Sequence, residues 1–217
     1  MKKKSKDRKS VKAFWFCVEG ECEKLYFDHL QKLINDADPK NAAEFIIKID
    51  SNFASYIRSK DPRGTVFFVW DREGNSTEDA VLFQRRMKTV FDADSRYDAY
   101  PGYTHLTFEL WILLHFGEFC APCSRKEGYL RLLNDHFSQK FESLKEYKQE
   151  KNFRKVLEQI SLENVKEAVE RGKRIREMKT ELGEKPETFG KFQTYGSNPD
   201  LLLHQCVEKI LRECRPN

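Results

Sequence analysis

The sequence predicts an α/β fold with a mainly parallel, four-stranded sheet that is flanked by helices and followed by a C-terminal helical extension. Short, almost continuous apolar runs recur in the first half of the chain, as expected for strands buried on both faces of a parallel sheet. Segments with apolar residues at helical spacing separate these runs, so strands and helices alternate. The chain has 217 residues, enough for one large domain or for a domain with an appendage.

The first two predicted strands lie within the first fifty residues. AFWFCV, residues 13–18, is apolar throughout and is the first of them. Gly20 then allows a tight turn, and the segment after it carries apolar residues at helical spacing. EFIIKI, residues 44–49, is the second predicted strand. A short helix, NFASYIRSK, follows it and is expected to end at the turn-forming sequence DPRG.

Two further predicted strands complete the sheet. TVFFVW, residues 65–70, is apolar and runs directly into the acidic sequence DREGNST. The next helix is predicted over residues 77–91, where apolar residues again recur every three or four positions. YTHLTF, residues 103–108, is the fourth predicted strand, and it continues into a helix that ends near Phe116.

The pattern changes after about residue 118, and residues 119–217 are predicted to form a helical extension packed on the α/β domain of residues 13–118. Several segments here carry helical apolar stripes. The sequence GEKPETFGKFQTYGSNP has the composition of a loop. The last helix is expected to have Ser197 or Asn198 as its N-cap and Pro199 in its first turn.

Charge and composition limit the class of protein. The net charge is +4, and residues 1–12 hold seven basic residues and one acidic residue, which predicts a disordered, solvated tail. No apolar segment follows this tail, as a signal peptide would require, and no run reaches the ~18 apolar residues of a membrane helix. We therefore expect a cytoplasmic protein whose six cysteines are free thiols. The CxxC motif at Cys120 and Cys123 lacks the second half of a zinc site.

Acidic residues follow the first and third predicted strands. Glu19 ends the first strand, and Asp71 and Glu73 follow the third. If these strands are neighbours, the three carboxylates converge at the carboxyl edge of the sheet, where ligands bind in such folds. Crowded carboxylates favour a hard divalent cation such as Mg²⁺ or Mn²⁺. Glu21 and Glu23 fall in the first turn of the next helix, and we assign them mainly to interaction with the helix dipole.

These motifs resemble those of a known family. VEGECEKLYF followed about fifty residues later by VFFVWDRE is similar to the Toprim domain. FELWILLHF and the late SNPDLLLHQCVEKIL narrow the resemblance to the RloB-like family, Toprim-like nucleases associated with restriction-modification and abortive-infection loci. The resemblance implies a Toprim-like (Rossmann-like) fold, Mg²⁺ or Mn²⁺ as cofactor, a DNA or RNA substrate with tRNA among the candidates, and an ATPase partner from the same locus.

The resemblance also implies roles for single residues. Glu19 would be a catalytic acid or base or a metal-associated glutamate, and Asp71 and Glu73 would be the metal pair. Glu73 stands where Toprim domains usually carry aspartate, so its carboxylate has a longer arm. Cys22 stands where relatives tend to carry threonine or serine, close to the helix start.

Two residues of FELWILLHF are additional catalytic candidates. Glu109 opens an apolar helix just past the fourth strand, so it either interacts with the helix dipole or acts as a functional acid at the metal site. His115 is the other candidate, although a hydrogen-bonded core histidine is the simpler interpretation.

A basic stripe on a helix of the extension is the candidate nucleic-acid contact. Residues one turn apart could follow a phosphate backbone, but a solvated helix face explains the same pattern. The stripe consists of Lys173, Arg174, Arg176 and Lys179.

Three functions are consistent with these features. The first is a metal-dependent nuclease that acts as an antiphage or abortive-infection effector. The second is a catalytically silent subunit of a defence complex that binds nucleic acid or a partner, and the third is a regulator that holds a Mg-nucleotide. The chain has no GxxxxGK[ST] motif, so we expect any ATPase to be a separate protein. The oligomeric state is left open, with a homo-oligomer as one alternative.

Overall fold

A computed structural model describes residues 10–60, 62–74, 76–123 and 125–216, with the side chain of Ser10 excepted. In this part of the chain, strands and helices alternate through the first half and helices dominate the second. The elements are β1 (Ser10–Val18), α1 (Glu21–Ala37), β2 (Asn41–Ile49), α2 (Phe53–Lys60), β3 (Thr65–Arg72), α3 (Thr77–Asp94), β4 (Asp98–His105), α4 (Glu109–Leu114), α5 (Lys126–Phe137), α6 (Leu144–Tyr147), α7 (Glu150–Leu157), α8 (Leu162–Glu181), β5 (Glu187–Phe189), β6 (Phe192–Thr194) and α9 (Leu203–Cys214).

The main sheet has the strand order β2-β1-β3-β4, and all its neighbouring strands run parallel. The prediction of an α/β fold with a four-stranded parallel sheet flanked by helices is therefore confirmed, and the architecture is Rossmann-like. β1 and β3 are central neighbours, and Val18 pairs with Val69 near their carboxyl ends. The residues that follow these two strands are consequently brought to the same edge of the sheet.

Both faces of the central strands are buried, which explains their continuous apolar sequences. Side chains alternate between the faces, as strand geometry requires. Phe16 and Phe67 face the core formed with α1, α4 and the helices of the second half. Phe68 and Trp70 face the core formed with α2 and α3.

The second half of the chain packs against the sheet. α9 lies against β4 and α8, and α8 also contacts α4. This half is not entirely helical, because β5 and β6 form an antiparallel hairpin where the sequence predicts a loop. Gly190, with a φ of 59°, provides the left-handed turn between the two strands. No helix of the described residues is long and apolar enough to cross a membrane.

The predicted start of the last helix is wrong. α9 begins at Leu203 rather than next to Pro199. The reason is that the preceding backbone pairs with β4 instead of turning into a helix. His105 N donates to Asp200 O at 2.9 Å, and Leu202 N donates to Tyr103 O at 3.0 Å.

Several strand boundaries also differ from the prediction, and β4 begins at Asp98, five residues earlier than predicted. β1 begins at Ser10 and pairs with β2 from there, so the predicted tail of residues 1–12 is three residues too long. Residues 1–9 lie outside the described residues. β4 ends at His105 rather than Phe108, because Leu106 adopts a left-handed conformation with a φ of 67° and stops the strand.

A buried ionic network ties the second half to the sheet. Asp200 is fully buried, and its Oδ1 accepts a hydrogen bond from Arg176 Nη1 at 2.6 Å. Its Oδ2 accepts from the Tyr103 hydroxyl and, at 2.8 Å, from the Tyr195 backbone N. The network thus joins β4, α8 and the segment before α9 through one carboxylate.

Replacing Asp200 with alanine should lower the free energy of unfolding by about 3–5 kcal/mol, because it leaves the largely buried Arg176 guanidinium without its counter-ion. Urea denaturation of both proteins measures this difference. Glu163→Ala is the control: its ion pair with Lys166 spans 3.7 Å at the surface, so the expected change is within about 0.5 kcal/mol. A loss below about 1 kcal/mol for Asp200→Ala would contradict the structural role of the network.

Candidate active site

The carboxylate after β1 is held against the end of β3. Glu19 Oε2 accepts a hydrogen bond of 3.0 Å from the backbone N of Asp71. Its Oε1 forms an ion pair with Arg86, which reaches over from α3. This contact follows directly from the pairing of β1 with β3. The structure therefore brings Glu19 and Asp71 together, as the order of motifs predicts.

Glu23 belongs to the same cluster, and its assignment to the helix start alone is wrong. Only 5% of the residue is exposed, although it lies in the first turn of α1. Burial raises the pKa of Glu23 to about 7, with Glu109 and Glu19 adding to the shift and a backbone hydrogen bond and Lys148 opposing it. Gly20 makes room for this side chain, since a Cβ there would lie 2.8 Å from Glu23 Oε2.

Asp71 is the carboxylate with the strongest electrostatic constraint. Its Oδ1 is buried and has no hydrogen-bond partner among the described residues. Burial raises the pKa of Asp71 well above its ordinary value, and the charges of Glu23 and Glu109 raise it further. A buried carboxylate oxygen that accepts no hydrogen bond destabilises the folded state, so a cation bound to this atom would be stabilising.

Glu109 is fully buried at the start of α4. Its Oε2 accepts a hydrogen bond from the Thr107 hydroxyl, and its Oε1 lies 3.2 Å from Lys148 Nζ. The structure thus places Glu109 in the acidic cluster, which favours a functional acid over a simple dipole partner. Its burial is tolerated because a cation is supplied to it from another part of the chain.

That cation, Lys148, comes from the second half of the chain, at the C-cap of α6. Burial acts to lower the pKa of Lys148, but the charges of Glu109, Asp71 and Glu23 outweigh it and raise the pKa above its ordinary value. Lys148 is therefore charged at neutral pH. The second half of the chain is thus part of the site as well as a neighbour of the sheet.

Glu73 lies at the outer side of the site. It lines a cavity of about 230 Å³ together with Glu19, Asp71 and Arg86. Its side chain is 61% exposed and pairs with Lys126 Nζ at 2.9 Å. The three predicted metal ligands therefore share one cavity, but Glu73 is exposed whereas Glu23 and Glu109 are buried.

His115 does not join the carboxylates. It is fully buried, and Nδ1 lies 2.8 Å from the Trp111 carbonyl oxygen. Nε2 lies 3.1 Å from the Tyr26 hydroxyl, so Nδ1 carries the proton and Nε2 accepts. Burial lowers the pKa of His115 to about 3. These contacts are those of a core histidine that orients Tyr26 and Trp111.

The basic stripe on α8 is occupied by partners within the chain. Lys173 pairs with Glu208 at 2.7 Å, and Arg174 pairs with Glu118 at 2.7 Å. Arg176 belongs to the Asp200 network, and Lys179, 3% exposed, donates to the Ser197 carbonyl at 3.0 Å. The structure therefore does not present these four residues as an open basic surface.

Sequence reasoning missed three members of the site: Glu23 as a buried acid, Lys148 and Arg86. A weak signal existed for Glu23, since it follows Gly20 by three residues and one helical turn brings it back over the glycine. The sequence held no comparable signal for Lys148 and Arg86. Their positions depend on how α6 and α3 pack, which local sequence patterns do not encode.

The residues present fit a divalent metal in chemistry, although their side chains are not arranged as a complete ligand set. Within the described ranges, no group of three or more His, Cys, Asp and Glu side chains is arranged to hold a metal ion. Glu19, Glu73 and Glu109 are instead paired with protein cations. The unpartnered Oδ1 of Asp71 and the neighbouring carboxylates nevertheless offer the oxygen ligands that Mg²⁺ and Mn²⁺ prefer.

These features define a Rossmann-like α/β protein with a buried cluster of carboxylates at the carboxyl edge of its central strands. The family model described as RloB-like protein matches residues 14–210. The chain therefore belongs to the RloB-like family. No curated protein matches it, and no solved structure matches it either.

The raised pKa values of the buried acids predict that the free energy of unfolding falls as the pH rises. The pKa of Glu23 is raised from 4.5 to about 7, so the folded state binds this proton more tightly than the unfolded state. The resulting stabilisation is complete below pH 4.5 and is lost as the pH rises through 7. Between pH 5.5 and pH 8 we expect a loss of about 2 kcal/mol from this group, and the raised pKa of Asp71 acts in the same direction.

Urea denaturation at both pH values, without divalent metal, measures this dependence. Glu23→Gln should reduce it, because glutamine mimics the protonated carboxyl group at every pH. Glu21→Gln, on the exposed side of the same helical turn, should leave it as in the wild type. Equal pH dependence in the wild type and in Glu23→Gln would show that Glu23 does not carry a raised pKa.

Proposed function

We propose that this protein is a Mg²⁺- or Mn²⁺-dependent nuclease that hydrolyses phosphodiester bonds in DNA or RNA. The observation that carries the proposal is the convergence of Glu19, Glu23, Asp71 and Glu109 at the carboxyl ends of β1 and β3 and the start of α4. An enzyme that cleaves a polyanion needs cations around the scissile phosphate, and a cluster of acids is how a protein retains a hard metal ion there. The membership in the RloB-like family and its Toprim-like motifs support the same proposal.

The proposed cofactor would be held by Asp71, Glu19 and Glu73, which share one cavity. When bound, such a metal supplies positive charge to the phosphate and lowers the pKa of a bound water. Holding it requires Glu19 and Glu73 to give up part of their contacts with Arg86 and Lys126. The arginine released from Glu19 would then face the same cavity and be available to a phosphate group.

Proton transfer is assigned to the acids of the cluster. Glu23, with a pKa of about 7, can accept or donate a proton near neutral pH, which suits a general acid or base. Glu19 is oriented by the Asp71 backbone N and Arg86, so its carboxylate is fixed toward the cavity. Lys148 pairs with Glu109 and also interacts electrostatically with Asp71 and Glu23, so its charge would stabilise negative charge developing on the phosphate.

The proposal includes a cellular role. The RloB-like family is associated with restriction-modification and abortive-infection loci, so we propose an antiphage effector that works with an ATPase partner encoded beside it. tRNA is among the candidate substrates, together with single-stranded and double-stranded DNA.

Asp71→Asn should abolish both metal binding and cleavage. The substitution keeps the shape of the side chain but removes the charge whose repulsion a cation relieves. Mn²⁺ binding is measured by calorimetry, and cleavage is measured on labelled tRNA and on single- and double-stranded DNA. Asp135→Asn, at an exposed position of α5, is the matched control and should behave as the wild type. Failure of the wild-type protein to bind metal at millimolar concentration with substrate present would overturn the proposal.

Lys148→Met should lower the turnover number on the order of a hundredfold, because a preorganised charge at the reacting phosphate is lost. The Michaelis constant should change less than the turnover number. Lys145→Met, one turn earlier and exposed, removes the same charge without touching the site and should leave turnover unchanged. Circular dichroism establishes that both variants are folded. Wild-type turnover in Lys148→Met would remove this lysine from the mechanism.

A catalytically silent subunit that binds nucleic acid or a partner is the second candidate function. It is favoured by the pairing of Glu19, Glu73 and Glu109 with protein cations, which leaves no ready-made metal ligand set among the described residues. Such a subunit would keep its affinity for nucleic acid in the presence of chelator and in Asp71→Asn. The nuclease would keep its fold through both changes but would lose cleavage.

A further inference from the structure

Three cavities adjoin one another along α2 and α3. The first is the cavity of the candidate active site, lined by Glu19, Asp71, Glu73 and Arg86, and is called here the carboxylate cavity. The second, of about 270 Å³, shares Leu82 and Arg86 with the first. The third, of about 350 Å³, shares Ala54 and Thr89 with the second. Together the second and third cavities form one continuous depression between α2 and α3, called here the α2–α3 groove. It leads from the side of Tyr97 to the proposed active site.

Three arginines line the groove, and two of them are exposed. Arg85 and Arg96 are exposed, and neither has an acidic partner in the part of the chain that the structure describes. The acid that lines the groove, Asp92, is neutralised by Lys88 at 3.1 Å. These arginines differ from the cations of α8, which are all engaged within the chain.

Arg86 stands where the groove meets the carboxylate cavity. Its side chain is 11% exposed and one of its terminal nitrogens pairs with Glu19. Its Nε is buried and has no hydrogen-bond acceptor among the residues described. A buried guanidinium N–H without an acceptor lowers the stability of the folded state, so an anionic oxygen that reached Arg86 Nε at this junction would be stabilising.

The residues at the start of α2 form an uncharged wall of the same groove. Ser51, Asn52, Phe53 and Ala54 line the second cavity. They surround the N-terminal end of an eight-residue helix, whose dipole favours negative charge. The wall therefore supports the arginines without contributing an acidic side chain.

We infer that the α2–α3 groove is the path along which the phosphate backbone of a nucleic-acid strand enters the active site. The inference rests on the proposed nuclease function and specifies its substrate-binding surface, which is this groove rather than the stripe on α8. Charge complementarity selects the occupant: a row of arginines that ends at a phosphodiester-cleaving site suits a polyanionic backbone. A protein partner would need acidic residues at a regular spacing to satisfy the same row.

The test is the affinity of the double variant Arg85→Glu/Arg96→Glu for labelled nucleic acid. Single-stranded RNA, single-stranded DNA and duplex DNA are titrated by fluorescence anisotropy in chelator, so that no cleavage interferes. We expect affinity to fall at least about tenfold and, for single strands, the slope of log K against log salt to become shallower by roughly 1.4, because two phosphate contacts are lost.

The matched control is Arg131→Glu/Arg212→Glu, which changes the net charge equally at two exposed arginines outside the groove, on α5 and α9. Its affinity should stay within about twofold of the wild type, since a change in overall charge alone has a weak effect at physiological salt. Melting temperatures establish that both double variants are folded. Equal losses in the two variants, wild-type affinity in the groove variant, or no binding by the wild type to any of the three probes would overturn the inference.

These outcomes separate the groove from the proposed function. Binding that depends on Arg85 and Arg96, without metal-dependent cleavage, would support the groove and count against the nuclease. Metal-dependent cleavage with affinity that the groove variant leaves unchanged would support the nuclease and overturn the groove.

Discussion

Repulsion among buried carboxylates is the constraint on which the rest of this structure depends. Glu23, Asp71 and Glu109 are largely withdrawn from water, and each raises the energy of its neighbours' charged forms. The fold compensates with cations from distant parts of the chain, Lys148 after α6 and Arg86 on α3. Both halves of the molecule therefore serve one site, and the balance between acids and cations leaves Asp71 Oδ1 without a donor among the described residues.

The parallel sheet creates this crowding. Because β1 and β3 are neighbours in register, the residues after both strands share one edge of the sheet, and α1 starts directly above it. Gly20 lets the Glu23 carboxylate fold back over the turn. The Asp200 network anchors the second half of the chain to β4, where α9 packs directly and α8 packs against α9. The positions of the charges thus depend on the architecture of the whole chain.

The sequence predicted the parts of the fold that depend on local patterns. Apolar runs such as residues 13–18 and 65–70 identified the central strands, and Glu19 and Asp71 were expected to meet on the condition that the first and third strands are neighbours. The start of α9, the β5–β6 hairpin and the role of Glu23 were not predicted. Each depends on long-range contacts: backbone pairing of residues 200–202 with β4, packing of the hairpin, and burial of Glu23 beside Glu109. The α8 stripe likewise looked open in sequence because its acidic partners, such as Glu118 and Asp200, lie far away along the chain.

The most direct test of the account is the number of protons released when Mn²⁺ binds. Calorimetric titration at pH 6.5 in two buffers of different ionisation enthalpy measures it. Glu23, with a pKa of about 7, is mostly protonated at this pH, and a cation placed among the carboxylates should expel its proton. The account predicts binding with release of at least about one proton, because Asp71 also has a raised pKa, and the release should be smaller in Glu23→Gln. Binding without proton release, or no binding, would contradict the claim that crowded buried carboxylates form a cation site.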